Sequence, residues 1–214
     1  MKSNCLKIGV LSVMLLVSVM NFMAQKPVSE EQKQAFEQKM IEHSQKIKTL
    51  QCAFVQEKTS SLVAEKAVVK GIMLYQSPSM MRWEYIEPTP STLILNGNNA
   101  ALLDKNGKKT GNEKMLKQLG SLIISMVNGN GIAQQSKQFS SEFYELDNEQ
   151  LLVVLKPIQK RLKDFYNKIE LRIDLKTMLA DDITLDEKSG DKTVIFLKDK
   201  VLNSEIPQSK FVIK

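Results

Sequence analysis

One stretch of the sequence, Gly71–Gly97, restricts most strongly what this chain can fold into. Within it Met81, Trp83 and Tyr85 alternate with charged residues, which is the period of two that a half-buried β-strand produces. Prolines interrupt the stretch on both sides of this segment, and a proline cannot donate to a strand ladder. The stretch ends at Asn96-Gly97, a strong signal for a tight hairpin. It therefore predicts three short antiparallel strands joined by tight turns.

Strand patterns also occur on both sides of this stretch. The predicted strands are Thr49–Lys58, Phe139–Leu146, Leu151–Leu155, Phe165–Asp174, Ala180–Asp186 and Lys192–Leu197. An antiparallel sheet of about ten strands with one apolar face has to curl and be covered. We therefore expect an α+β chain in which helices cover one face of a curled sheet.

Two segments have the helical period instead. Ser29–Lys48 begins with a good N-cap residue that is followed by acidic side chains, as the helix dipole favours. Asn112–Asn128 places its apolar residues on one wide stripe, and glycine follows it, as at many helix C-termini. This second helix is either an ordinary core helix or a lid over an apolar groove. Methionines on its stripe would suit a lid with variable partners.

The N-terminal residues have the pattern of an export signal. Lys2 and Lys7 precede the apolar run Ile8–Met20, and the small residue Ala24 follows it. The run is short for a membrane-spanning helix. We therefore predict a signal peptide at residues 1–24, a single mature domain at residues 25–214 and a periplasmic location. An uncleaved anchor is the alternative.

The composition argues against several classes of function. The 30 basic and 24 acidic residues leave a modest formal charge of +6, which scattered lysines carry rather than the clustered stripe of a nucleic-acid-binding protein. One His and two Cys cannot supply a usual zinc site, and no phosphate-binding or nucleophile motif occurs. We predict a protein that is not an enzyme and has no metal or cofactor. A mature chain that begins after Ala24 would contain Cys52 as its only cysteine.

The order of these features resembles that of the periplasmic outer-membrane lipoprotein carriers, the LolA family. The family has a strand that ends near a proline, an aromatic strand, a proline turn and an apolar strand closed by a glycine hairpin. The matching residues here are Gly71, Pro78, Met81-Arg82-Trp83-Glu84-Tyr85, Pro88 and Leu93–Gly97. The family's first strand and its ending are matched by Phe54, Gln56, Asn203, Ile206-Pro207 and Phe211.

This resemblance implies an incomplete antiparallel β-barrel of about ten to eleven strands, with helices over its concave apolar face. It implies a monomeric carrier that shields the acyl chains of lipoproteins and transfers them from the inner to the outer membrane. Its partners would be acylated lipoproteins, an inner-membrane exporter and an outer-membrane acceptor, with no nucleic acid. Two alternatives stay open: a related half-barrel that senses lipoproteins or binds another lipid, and an envelope module that binds a peptide.

The resemblance also selects candidate binding residues. The lipid-binding face of the sheet is assigned Leu50, Phe54, Ile72, Leu74, Met81, Trp83 and Tyr85. The lid is assigned Met115, Leu119, Leu122, Ile123 and Met126. Ordinary core packing would give both sets the same pattern.

Two further sets of residues concern partners and the lid. Lys160, Arg161 and Lys163 lie in a basic loop, which is either a docking site for an acidic partner or a solvated charge run. Several carriers of this family have an Arg at the position of Ser77, where it helps to hold the lid closed. The resemblance therefore implies a different latch in this chain, and Arg82 alternates out of the face that holds Met81.

Overall fold

The architecture is one antiparallel sheet of twelve strands with few helices. The computed structural model describes residues 25–63, 65–97, 99–111, 120, 122–125, 132 and 136–213. The strands are β1 (Lys26–Pro27), β2 (Thr49–Thr59), β3 (Ala67–Gln76), β4 (Met80–Glu87), β5 (Ser91–Asn96), β6 (Asn99–Leu103), β7 (Lys109–Thr110), β8 (Phe139–Leu146), β9 (Gln150–Pro157), β10 (Tyr166–Asp174), β11 (Leu179–Glu187) and β12 (Lys192–Leu202). The signal peptide predicted at residues 1–24 lies outside the described residues.

The sheet is open rather than closed. Its spatial order is β1-β8-β9-β10-β11-β12-β2-β3-β4-β5-β6-β7, so that β12 joins the two halves of the chain by pairing with β2. The strands at the two edges, β1 and β7, have two residues each, which leaves little free ladder for another chain to pair with. The predicted fold, α+β with an incomplete antiparallel barrel, is confirmed.

One continuous cluster of buried apolar side chains lies on one face of the sheet, which we call the inner face. It includes residues from strands far apart in the order, such as Phe143 of β8, Leu171 of β10 and Trp83 of β4. A second, small cluster of Leu74, Ile206 and Phe211 lies on the opposite, outer face. The inner face therefore carries the main core, and the outer face is covered only locally.

Helix α1 (Glu30–Gln45) packs against the inner face. Its N-terminus has a capping box, in which the Ser29 hydroxyl accepts from the Gln32 N–H and the Gln32 side chain accepts from the Ser29 N–H. Met40 is fully buried in the main cluster, and Lys33 Nζ donates to the Ser141 carbonyl of β8 at 3.1 Å. The predicted N-cap is confirmed. None of the helices in the described part of the chain is both long and apolar enough to span a bilayer.

Because neighbouring strands are antiparallel, successive connections alternate between the two ends of the sheet. One end carries the connections β2–β3, β4–β5, β6–β7, β9–β10 and β11–β12. The β9–β10 connection includes the single helical turn α2 (Lys160–Lys163), so we call this the α2 end. The opposite end carries the C-terminus of α1 and the β3–β4 turn.

Asn203 fastens the C-terminus of α1 to the end of β12. Its Oδ1 accepts from the Lys48 N–H at 2.7 Å, and its Nδ2 donates to the Lys46 carbonyl at 3.2 Å. Its φ of 57° lies in the left-handed region, where a short amide side chain is tolerated better than most. The amide therefore satisfies backbone groups at a helix end that would otherwise need water.

We expect Asn203→Ala to lower the free energy of unfolding by about 2 kcal/mol, because it removes both hydrogen bonds and strains the backbone. Asn203→Gly removes the same bonds without the steric strain, so its loss should be about 1 kcal/mol smaller. Urea unfolding followed by fluorescence measures both losses. Equal stability of the Ala variant and the wild type would contradict this role of Asn203.

Candidate functional site

Three aromatic side chains form the centre of the inner face in β2 and β4. The rings of Phe54 and Trp83 stack with their centroids 4.2 Å apart, and Tyr85 meets Phe54 edge-on at 5.4 Å. Trp83 is 1% exposed. Such pairs stabilise a fold beyond the area that they bury. Phe54, Trp83 and Tyr85 therefore form a well-packed apolar surface, which we call the aromatic wall.

Gly71 allows this wall to form. It lies directly opposite Phe54 of β2 and Tyr85 of β4 in the strand register. A Cβ atom here would lie 2.6 Å from Phe54 Cε1 and would overlap the carbonyl oxygen of Glu84. The Phe54 ring can therefore lie over the backbone of β3 only because position 71 has no side chain, an arrangement known from other glycines in sheets.

Five of the seven residues predicted for the lipid-binding face do lie together on the inner face. Leu50, Phe54, Met81 and Trp83 are buried in the main cluster, and the half-buried Tyr85 packs against it. The predicted parity of β2 and β4 is therefore confirmed. Whether these residues bind lipid stays a prediction.

The other two predicted residues, Ile72 and Leu74, are on the wrong face. Ile72 is 37% exposed, and Leu74 packs in the small outer cluster with Phe211. The residues of β3 that face inward are Met73 and Tyr75. Both sets in this strand are apolar, because the C-terminal segment around Phe211 covers part of the outer face. The alternation alone therefore could not decide between them.

The hairpin register contained the missing signal. A turn of three residues joins β3 to β4, so that Met73 pairs with Trp83 and Leu74 pairs with Arg82. Paired residues of antiparallel strands share a face, and Trp83 faces inward. The same rule places two leucines of β5 on the inner face, since Leu93 pairs with Trp83 and Leu95 pairs with Met81; the sequence-based assignment had omitted both.

The predicted lid is described in part. Residues 120 and 122–125 are helical, and Leu122 and Ile123 are half-buried against the main cluster. A Cβ atom on Gly120 would lie 2.7 Å from Leu95 Cδ2 and 2.8 Å from Leu95 Cγ. The helix backbone therefore touches the sheet side chains directly at this point. Met115, Leu119 and Met126 lie outside the described residues.

The inner face is largely apolar but includes a few polar atoms. Trp83 Nε1 is buried and forms no hydrogen bond of good geometry within the described part of the chain, although it lies close enough to the Tyr85 phenol to affect its pKa. Tyr85 Oη donates a long bond of 3.5 Å to Gln56 Oε1. Burial raises the pKa of the Tyr85 phenol, and the neighbouring Trp83 indole offsets part of that rise. Burial also raises the pKa of the Cys52 thiol to about 12, so that this cysteine is an inert wall residue at neutral pH.

The remaining predicted positions lie away from this face. Lys160 and Arg161 are exposed in α2, with Lys163 at its end. Ser77 lies in the β3–β4 turn, where its N–H donates to the Lys48 carbonyl at 2.8 Å. Arg82 is on the outer face, as its parity predicted, and its Nε donates to Glu84 Oε2 at 2.6 Å. Among the described residues, no cluster of acidic, His and Cys side chains could hold a metal ion.

Comparison with known protein families matches the sequence of this chain to one of them. The model of the family described as "Outer membrane lipoprotein carrier protein LolA" matches residues 45–214. The chain belongs to the LolA family. The matched region begins at the end of α1 and includes β2–β12, so it contains the whole aromatic wall. The family description names a carrier, and no curated protein sequence matches the chain.

Solved structures match the chain at low sequence identity. An uncharacterized conserved protein from Thermus thermophilus matches at 8% identity with a TM-score of 0.52, over 84% of this chain and 92% of that one. MucB matches at 10% identity and 0.52, over 86% of this chain but 63% of MucB. A LolA superfamily protein from Nitrosomonas europaea matches at 12% identity and 0.45, over 82% and 97%. The two matches with TM-scores of 0.52 show a similar fold and nothing beyond it.

Proposed function

We propose that this LolA-family protein is a periplasmic carrier that shields the acyl chains of lipoproteins and transfers them from the inner to the outer membrane. It receives its cargo from an inner-membrane exporter and delivers it to an outer-membrane acceptor. The observation that carries the proposal is an apolar inner face in contact with a helix through Gly120 and Leu95. Family membership supports the class of cargo.

The energetics explain why such cargo needs a carrier. Burial of one CH₂ group is worth about 0.8 kcal/mol, so a chain of roughly 16 carbons forfeits about 12 kcal/mol when it enters water. The carrier has to replace most of this burial and still release the cargo. A closed empty state makes release feasible, because the contacts of Leu122 and Ile123 with the wall compensate for those that the acyl chains give up.

In this proposal the contact of Gly120 with Leu95 belongs to a closed form of the protein. The helical residues move away from β5 when cargo enters, and the acyl chains then lie against Met81, Trp83 and Leu95. The apolar wall supplies the affinity for the cargo.

Mass spectrometry of lipid extracted from the purified protein tests the proposal. We expect acylated peptide, since acyl burial alone holds the cargo through purification. Free phospholipid or fatty acid in its place would favour the alternative of a general lipid binder or sensor. A protein that carries no lipid and fails to take up a synthetic diacylated lipopeptide would contradict the carrier function.

A further inference from the structure

The exposed apolar side chains of this protein are concentrated at one end of the sheet. Among the described residues, six of the nine exposed large apolar side chains lie at the α2 end: Leu62, Val63, Val68, Ile86, Ile158 and Phe165. Leu62 is 91% exposed and Phe165 is 57% exposed. Single exposed apolar residues are ordinary, but a group of them at one end marks an interaction surface.

The connections at this end are joined into one surface by hydrogen bonds. The Ser61 hydroxyl, next to Leu62, donates to the Ser189 carbonyl of the β11–β12 turn at 3.1 Å. The Lys188 N–H in the same turn donates to the Phe165 carbonyl at 2.8 Å. The Phe165 N–H in turn donates to the Leu162 carbonyl of α2 at 3.1 Å. Leu62, Phe165 and α2 are therefore held in one array.

The part of this array around α2 is basic. Lys160, Arg161 and Lys163 lie in the same connection as Phe165, Lys188 lies in the β11–β12 turn, and none of the four forms an ion pair with another described residue. These four outnumber the exposed Asp164 of the β9–β10 connection. In the β11–β12 turn, Lys58 neutralises Glu187 at 3.4 Å and Asp191 at 3.1 Å. The opposite end has a mixed surface that includes the acidic residues Asp147, Glu149, Asp174 and Glu205.

We propose that the α2 end docks the protein on an anionic lipid bilayer. The basic side chains contact the headgroups, and Leu62, Val63 and Phe165 enter the interface. Interfacial binding sites combine these two features, whereas a site for an acidic protein surface would need the charges and would leave a 91% exposed leucine unexplained. The inference goes beyond the proposed carrier function and does not require the inner face to bind lipid.

Flotation of the protein with phosphatidylcholine vesicles, made with and without phosphatidylglycerol, tests this surface. All variants keep the same N-terminus, so that any contribution of residues 1–24 cancels. The double variant Lys160→Glu/Arg161→Glu should bind anionic vesicles at least about 25-fold more weakly, since each basic residue near such a surface contributes about fivefold. Leu62→Asp should weaken binding at least about tenfold, because it removes one inserted side chain.

Matched controls come from the opposite end of the sheet. Lys48→Glu changes an exposed lysine there, and Val201→Asp changes an exposed valine near the end of β12; neither should alter vesicle binding. Failure of the wild type to bind anionic vesicles, or equal losses in the control variants, would overturn the inference. Binding to polyglutamate that Lys160→Glu/Arg161→Glu abolishes and Leu62→Asp leaves intact would instead identify a site for an acidic protein.

Discussion

Replacing Met73 by Ala is expected to lower the free energy of unfolding by about 3 kcal/mol or more, the usual loss when a buried methionine is truncated. The same replacement at the adjacent Ile72 should lower it by about 1 kcal/mol, mainly through the weaker strand propensity of alanine. The two residues are neighbours in β3, but Met73 is 1% exposed and Ile72 is 37% exposed. The pair of variants therefore compares the two faces of the sheet at adjacent positions of one strand.

Trp83 is the only tryptophan of the chain, so its fluorescence reports the unfolding of both variants in urea. Met73 lies directly opposite it in the register. We therefore also expect Met73→Ala, and not Ile72→Ala, to change the emission of the folded protein. A larger loss of stability at Ile72 than at Met73 would reverse the assignment of the inner face.

The sequence was sufficient to predict most strands of the sheet, but not which side chains of every strand face inward. Trp83 and its neighbours in β4 alternate between apolar and charged residues, so the pattern specifies their side of the strand. In β3 both sides are apolar, because Leu74 is covered by Ile206 and Phe211 from the far end of the chain. The alternation within β3 therefore cannot separate the two sets, whereas the pairing of Met73 with Trp83 across the β3–β4 turn does.

Other parts of the candidate site depend on shape, which the periodicity of the sequence does not contain. Gly71 matches the family pattern, but its reason is the Phe54 ring above it. Gly120 lies within the predicted helix but has no side chain, so it does not contribute to the apolar pattern. It is nevertheless the point where the helix backbone contacts Leu95. The α2 end likewise depends on the fold, because hydrogen bonds join the turns that carry Leu62 and Phe165.

In the two proposals, the inner face and the α2 end have different tasks. The inner face around Trp83 is sealed by α1 and by the helical residues 120 and 122–125, whereas the α2 end presents apolar and basic groups outward. Each can therefore be altered without damage to the other. A variant such as Leu62→Asp should lose vesicle binding and retain uptake of lipopeptide from solution, which separates docking from carriage.

Opening of the lid is expected to be easier by about tenfold or more in Gly120→Ala. The new methyl group would overlap the Leu95 side chain in the closed form, and overpacking of this kind costs about 1–3 kcal/mol. The open form has no such contact, so the change favours it selectively. Uptake of a fluorescent diacylated lipopeptide should therefore be faster or tighter in the variant, as measured by a stopped-flow titration.

A second substitution distinguishes the overlap of the new methyl group with Leu95 from a general loss of stability. Leu95→Ala removes the side-chain atoms that the new methyl group would meet, so the double variant Gly120→Ala/Leu95→Ala should close again and lose the gain in uptake. Alone, Leu95→Ala should destabilise the fold by about 2–5 kcal/mol through the cavity that it leaves. The methyl group at position 120 should recover part of this loss, which is a coupling that independent sites do not show. Strictly additive effects of the two substitutions would mean that the closed contact between Gly120 and Leu95 does not control access to the inner face.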